Sequence, residues 1–200
     1  MKWNIVADSA CDLMKKDVDS EAVSFSTVNF ILRVGDRDYI DDEQLDILKM
    51  IDDMESYPAA SYSSCPSPDA WAEQFKKAEQ IIAITISGNL SGSLNSAMAA
   101  VDIVMSEYPE KKIAVLDSRS TGPEMALCIY HIVEWIKSNH TFETIVEKAE
   151  KFLEDTKTIF ALSSFNNLVK NGRMSKATGF IAKILGIWGV GTVAGNNCFN

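Results

Sequence analysis

The sequence predicts an α/β protein in which a parallel sheet is covered by helices on both faces. Short apolar segments alternate with helix-like segments through about the first 160 of the 200 residues, and this alternation is typical of parallel sheets. Two of the apolar segments end on the same dipeptide, Asp8-Ser9 and Asp117-Ser118. Hydrophobic residues make up 46% of the chain, which is enough for a buried core in one domain or two small ones.

Apolar periodicity places the individual elements along the chain. Short apolar runs predict strands at residues 3–7, 23–33, 81–85, 112–116 and 158–162, with a hairpin turn at residues 34–38. Apolar residues at helical spacing predict helices at residues 42–54, 71–78, 93–105, 125–137 and 142–153. Residues 57–68 are expected to form a long polar loop.

A change of pattern near residue 157 predicts a domain boundary. Strands and helices alternate before it, whereas an apolar tail interrupted by glycines follows it. We therefore expect an N-terminal α/β domain at residues 1–157 and a second region at residues 158–200. The glycines of the tail do not match the G-x-G-x-x-G fingerprint of dinucleotide-binding folds, which favours a glycine-rich strand or turn region.

Composition excludes several classes of partner. The formal net charge of −9 argues against nucleic acids and anionic membrane surfaces, because binding to either needs a basic protein surface. The cysteines form no C-x-x-C pair, and with only two histidines no zinc pattern emerges. We expect a cytoplasmic protein with reduced thiols, without a signal peptide and without the ~20 apolar residues of a membrane span.

Two serine-rich turns predict a site for an anion. The first has the sequence SSCPSP at residues 63–68, and the second has SGNLSGS at residues 87–93. Each precedes a helix-like stretch, and a helix start offers unpaired N–H groups and a partial positive charge that suit a phosphate or carboxylate. Ligands of parallel sheets bind beyond the carboxyl ends of the strands, where Asp8-Ser9 and Asp117-Ser118 would join the second turn.

The same residues allow an alternative function, a small hydrolase or other enzyme that uses Ser91 on an acidic substrate. Residues 88–92 read G-x-x-S-G, whereas the hydrolase elbow reads G-x-S-x-G. A serine nucleophile also needs a base. His131 and His140 fall within or between predicted helices and not at strand ends, which disfavours this alternative.

Several acidic residues have two interpretations each. Asp8 and Asp117 could orient a ligand or cap the next helix, and the sequence leaves both open. The acidic run at residues 41–43 could attract a metal, but the preferred interpretation is a helix N-terminus whose acids complement the helix dipole. Asp52 and Asp53 are expected on a solvated helix face.

Four short motifs, taken in order, resemble those of a known family. VADSACDL at residues 6–13 resembles D-S-x-x-D-L, and SSCPS at residues 63–67 resembles T-S-Q-P-S. LSGSLNSA at residues 90–97 resembles L-S-G-T-Y-x-S-A, and LVKNGRMS at residues 168–175 resembles L-x-K-G-G-R-I-S. The family is the DegV family of bacterial fatty-acid-binding proteins. The resemblance implies a DegV-like two-domain fold with a long-chain fatty acid such as palmitate between the domains.

The resemblance also implies roles for particular residues. The hydroxyls of Ser63 and Ser91 would hold the carboxylate, and Arg173 would lie near the head group or at a docking surface. The expected ligand-binding residues are Ser63, Ser64, Ser91, Gly92, Ser93 and Arg173. Some members of the family carry the acyl chain for a separate fatty acid kinase, which implies a non-catalytic chain without metal or cofactor.

Departures from the family pattern qualify these expectations. Ser63 replaces a threonine, Cys65 a glutamine and Asn171 a glycine. Family members continue well beyond the point where this sequence stops, so the second domain is expected to be incomplete. Such a chain could instead be an interaction domain without a ligand.

The apolar segments at residues 165–168 and 180–190 are candidates for lining the acyl tunnel, or ordinary core.

Overall fold

The computed structural model describes residues 3–162, 164, 166–170 and 189–192. Within these residues the elements are, in chain order, β1 (Trp3–Asp8), a 3-10 turn (Ser9–Cys11), α1 (Lys15–Val18), β2 (Val23–Val28), β3 (Ile31–Val34), β4 (Arg37–Ile40), α2 (Ile47–Ser56), β5 (Tyr62–Ser64), α3 (Pro68–Phe75), β6 (Gln80–Thr85), α4 (Ser93–Glu107), β7 (Lys112–Asp117), α5 (Pro123–Lys137), α6 (Phe142–Asp155), β8 (Ile159–Leu162), α7 (Asn166–Lys170) and β9 (Gly189–Thr192).

The main sheet has four parallel strands in the order β2-β1-β6-β7, which confirms the predicted fold class. The chain moves from β1 to its neighbour β2 on one side, and later returns with β6 on the other side of β1. This reversal of direction is the topological switch point, where open parallel sheets leave a crevice at the carboxyl ends of the strands. The crevice lies beyond Asp8 and Thr85.

Alternate residues of the central strands face two separate cores, because successive side chains of a strand point to opposite faces. Ile5 and Ile82 face the core formed with α5 and α6. Val6 and Ile81 face the core formed with α3 and α4, where Trp71 is fully buried. Burial on both faces explains why these strands are nearly continuous apolar runs.

The segment predicted as one strand at residues 23–33 is two strands. The prediction was wrong because the chain turns at residues 29–30, where the backbone N–H of Phe30 donates to the Ser9 hydroxyl at 3.1 Å. Beyond this turn β3 leaves the parallel sheet and joins a three-stranded antiparallel sheet of order β4-β3-β5. The predicted hairpin at residues 34–38 is confirmed, with Gly35 at a φ of +64° in the two-residue turn.

The segment predicted as a loop at residues 57–68 contains β5, which pairs antiparallel with β3. All three residues of β5 are exposed. The apolar alternation that marks a half-buried strand is therefore missing, and the strand exists only through its pairing with β3.

Two helices begin at other residues than the sequence predicts. The helix expected at residues 42–54 begins at Ile47, and Asp46 caps it by accepting from the backbone N–H of Lys49 at 3.0 Å. The acidic run at residues 41–43 therefore lies outside the helix, which corrects its assignment to a helix N-terminus. The helix expected at residues 71–78 begins at Pro68, because Ser67 accepts from the backbone N–H of Ala70 at 3.2 Å.

The second region is described only in part. Strands β8 and β9 pair antiparallel, and α7 follows β8. The boundary near residue 157 and the incomplete second domain stay predictions. Among the described residues, no helix is long and apolar enough to cross a membrane.

Candidate functional site

The turn between β6 and α4, at residues 86–92, lies beyond the switch point and is tied to both neighbouring strands. Its first residue, Ile86, donates its backbone N–H to Asp8 Oδ2 at 2.9 Å. The backbone N–H of Gly88 donates to Asp117 Oδ1 at 3.1 Å. Carboxylates at the ends of β1 and β7 thus hold the turn from opposite sides.

Asp8 is completely buried and also accepts a hydrogen bond from the Ser93 hydroxyl at 2.7 Å. Burial raises the pKa of Asp8 from its ordinary value of 3.8 to about 6. The hydrogen bonds from Ser93 and Ile86 act in the opposite direction, and the nearby charge of Asp41 raises the pKa further. The backbone N–H of Ala10, in the 3-10 turn that follows β1, also acts to lower the pKa of Asp8, although Asp8 forms no side-chain cap of that turn at hydrogen-bond distance.

Ser91 lies half-buried in this turn, one residue before the N-cap of α4. Its backbone N–H donates to the carbonyl oxygen of Ser87 at 3.1 Å. Its hydroxyl oxygen accepts the backbone N–H of Ser93 at 3.2 Å. The N-cap itself, Gly92, has no side chain that could satisfy the first turn of α4, so this helix start resembles the helix N-termini that bind anions.

Ser93 lies behind Ser91 and is fully buried. Its hydroxyl is engaged by Asp8, and its backbone N–H by Ser91. The predicted contact between Ser93 and a ligand stays a prediction. A contact through the hydroxyl would have to compete with the hydrogen bond to Asp8.

The second serine turn approaches the first one through Cys65. A Cβ atom added to Gly92 would lie 3.4 Å from Cys65 Sγ, and the same sulfur lies 4.0 Å from the Ser96 hydroxyl. Ser63 and Ser64 precede Cys65 on β5, where both are exposed. The two turns that the sequence predicts as one anion site are therefore neighbours in the fold.

Asp117 forms a second support beneath the turn. Its Oδ1 accepts the backbone N–H of Arg119 at 2.9 Å in addition to that of Gly88. A Cβ atom added to Gly88 would lie 2.8 Å from Leu94 Cδ2 and 3.3 Å from Asp117 Oδ2. The side chains packed here leave little room for any residue larger than glycine.

A hydrogen-bonded cluster of hydroxyls around Glu124 fixes the chain directly after α6. The sequence analysis missed this cluster. The Ser120 hydroxyl donates to Thr158 Oγ1 at 2.6 Å, and Thr158 in turn donates to Glu124 Oε2 at 3.1 Å. Thr156 donates to the other oxygen of this carboxylate at 2.7 Å. Glu124 is only 5% exposed. The two partners of each of these hydrogen bonds are more than 30 positions apart in the sequence, so no local pattern marks them.

A cleft of about 500 Å³ opens beside the ends of β1 and β2. Four carboxylates and several apolar side chains line it, and its lining residues are Ser9, Asp12, Leu13, Met14, Thr27, Asn29, Asp41, Asp42, Glu43, Gln44, Leu45 and Ile47. Within the described part of the chain, no group of three or more His, Cys, Asp or Glu residues is arranged to hold a metal ion. Neither serine of the predicted anion site lines this cleft.

The two histidines considered for the enzyme alternative lie within α5 and in the turn between α5 and α6. His131 stacks on Trp135 with 5.6 Å between ring centroids, and Phe152 packs against it at 4.9 Å. The Nδ1 atom of His140 lies 3.2 Å from the carbonyl oxygen of Trp135.

Asp53, expected on a solvated face, is half-buried and pairs with Arg37 at 2.7 Å.

Other predicted residues fall outside the described part of the chain. Arg173 is among them. Of the acyl-tunnel candidates, residues 165 and 180–188 also lie outside it, whereas residues 166–168 lie in α7 and residues 189–190 in β9. Their predicted roles are therefore carried by the sequence alone.

Comparisons with known proteins identify the family. The model of a family described as "Uncharacterised protein, DegV family" matches residues 2–198. A DegV domain-containing protein of Streptococcus pneumoniae is 40% identical over 191 residues, covering 96% of this chain and 68% of the relative.

Two solved structures are similar over nearly the whole chain. The Streptococcus pneumoniae Fatty Acid Kinase (Fak) B3 protein, loaded with linoleic acid, matches with a TM-score of 0.93 and 38% identity, covering 100% of this chain and 72% of that one. A DegV family protein from Eubacterium eligens, loaded with heptadecanoic acid, matches with a TM-score of 0.87 and 36% identity, covering 96% and 68%. This chain belongs to the DegV family.

Proposed function

We propose that this protein binds a long-chain fatty acid and holds its carboxylate with the hydroxyls of Ser63 and Ser91. One observation carries the proposal: the two serine turns, which lie far apart in the sequence, meet at Cys65 and Gly92. Ser64 and Gly92 adjoin the two hydroxyls in the chain, Ser93 lies directly behind, and Arg173 completes the proposed set. The fatty acids bound by the two solved relatives support the same ligand class.

The chemistry of the second turn fits a carboxylate. The start of α4, a helix of 15 residues, supplies a partial positive charge and unpaired N–H groups. The net charge of −9 disfavours anion binding elsewhere on the protein, so a local set of donors is needed. Two hydroxyls and a helix start provide such a set. Neither turn, at residues 63–68 or 87–93, contains a basic residue.

The acyl chain would supply most of the binding free energy. Burying ~14 methylene groups at about 0.8 kcal/mol each gives a gross contribution on the order of 11 kcal/mol. A hydrogen bond from a serine to a charged acceptor contributes roughly 1–3 kcal/mol. The hydroxyls therefore determine which end of the ligand lies at the rim of the sheet.

A ligand held in this way is presented and not converted. We propose that the protein is a non-catalytic carrier that offers the carboxylate to a fatty acid kinase. The similarity to the Fak B3 protein supports this partner. Burial of the acyl chain between the two regions of the chain belongs to the same proposal.

Native mass spectrometry of the purified protein tests the proposal. We expect a co-purified acid of about 14 to 18 carbons, because a tail of this length gives the burial estimated above. The Ser63→Ala/Ser91→Ala double variant should lose most of this occupancy. The matched control is the Ser106→Ala/Ser138→Ala double variant, which removes two hydroxyls from exposed positions at helix ends. Equal occupancy in both double variants would contradict the assigned roles.

A further inference from the structure

A single buried carboxylate holds both ends of the turn that carries Ser91. Asp8 Oδ2 accepts from the backbone N–H of Ile86 at 2.9 Å and from the Ser93 hydroxyl at 2.7 Å. These donors lie 78 and 85 residues further along the chain. Hydrogen bonds to a carboxylate are stronger than those to a neutral oxygen, so the end of β1 fixes where α4 begins.

The hydrogen bond between Ser93 and Ser91 sets the direction in which the Ser91 hydroxyl donates. Ser91 Oγ accepts the backbone N–H of Ser93 at 3.2 Å. A hydroxyl carries one hydrogen and accepts through its lone pairs, so this hydrogen must point away from the N–H of Ser93. Among the residues that the structure describes, we find no protein acceptor for it, and an anion placed beyond the turn would receive it.

We propose that Asp8 is a positioning residue of the carboxylate site, which holds Ser93 and through it keeps the Ser91 hydroxyl directed at the fatty-acid head group. This inference rests on the proposed function and adds the residue on which the geometry of Ser91 depends. Asp8 acts through Ser93 and not by contact with the ligand, since Asp8 is completely buried beneath the turn.

This role can be separated from a general contribution to folding. A carboxylate that only stabilised the domain would affect Ser63 and Ser91 alike. A positioning residue instead acts on Ser91 alone, because Ser63 lies on β5 and is held by its pairing with Leu32 of β3. Double-mutant cycles detect such a difference, since effects that share one physical path are not additive.

The experiment measures the affinity of delipidated protein for linoleic acid by titration calorimetry. Asp8→Ala should weaken binding about tenfold, the loss that corresponds to one misdirected hydrogen bond. Asp8→Asn, which keeps an acceptor oxygen in place, should stay within about threefold of the wild type. Adding Ser91→Ala to Asp8→Ala should weaken binding by less than about twofold more, whereas adding Ser63→Ala should act with its full effect.

Asp19→Ala is the matched control, because Asp19 also accepts a backbone N–H, that of Phe25, but does not touch the turn. It should lower stability and leave the affinity unchanged. If Asp8→Ala does not fold, Ser93→Ala breaks the same path and replaces it in the cycle. A wild type that binds no linoleic acid would overturn the proposed function. A wild type that binds, with independent effects of Asp8→Ala and Ser91→Ala, would overturn this inference alone.

Discussion

The turn at residues 86–92 and the strand β5 each carry one serine of the proposed carboxylate site, but they are held in different ways. The turn is fixed by Asp8 and Asp117, which reach it from the two neighbouring strands. Strand β5 is exposed along its whole length and is held by pairing with β3. One side of the site is thus anchored in the core, and the other is supported at the surface.

This difference implies a division of tasks between the two serines. A donor fixed by buried hydrogen bonds has little freedom to adapt, so Ser91 would define the position of the head group. A donor on an exposed edge strand can shift at small cost, so Ser63 would follow the ligand that is bound.

The largest effect should come from titration of Asp8. Its pKa is raised from 3.8 to about 6 in the folded protein, so the folded state binds this proton more tightly than the unfolded state. Its contribution to stability is therefore fully present below about pH 4 and is lost as the pH rises through 6. The difference corresponds to about 3 kcal/mol.

Urea unfolding of the wild type and Asp8→Asn between pH 4 and pH 7 measures this effect. The wild type should lose stability relative to the variant as the pH rises, because only the wild type has the group that titrates. Ser63→Ala should show a constant difference from the wild type over the same range. A constant difference in stability between the wild type and Asp8→Asn over this pH range would mean that folding does not raise the pKa of Asp8.

A smaller effect is expected from removing a single hydroxyl on each side of the site. Ser93→Ala removes one of the hydrogen bonds to the buried Asp8 and should lower the free energy of unfolding by about 2 kcal/mol at pH 8. Ser63→Ala, at an exposed position, should change it by less than about 0.5 kcal/mol. Urea midpoints compare the two variants directly. Equal losses would show that the two sides are supported alike.

A smaller effect than that of Ser93→Ala is expected at Ser67, which caps the start of α3 on the exposed side of the site. Ser67→Ala removes the acceptor for the backbone N–H of Ala70 and should cost about 1 kcal/mol. Ser67→Asp keeps an acceptor and should restore most of the loss. Thermal unfolding monitored by circular dichroism measures both variants. No difference between them would argue against a capping role.

The sequence predicted the parallel sheet because its central strands, β1 and β6, are buried on both faces, so each of them is visible as an apolar run. Strand β5 escaped prediction because all its residues are exposed and its existence depends on β3, about 30 residues earlier. The break after Val28 was missed for a similar reason, since it depends on the contact between Phe30 and Ser9.

For the candidate site, the sequence located the two serine turns but not their supports. Asp8 was left between ligand orientation and capping, and the structure shows that it accepts hydrogen bonds from Ile86 and Ser93. Both partners lie more than 70 residues away, so no local spacing could reveal the pairing. Arg173 stays a prediction because it lies outside the described residues.

The hydrogen-bonded cluster of Ser120, Thr158 and Glu124 also determines where β8 begins. It clamps the first residues after α6 to the loop that follows β7. The start of β8, directly after Thr158, is thereby held close to the rim where the carboxylate is proposed to bind, because the carbonyl oxygen of Ser120 also accepts the backbone N–H of Ser87, in the turn that carries Ser91, at 2.8 Å.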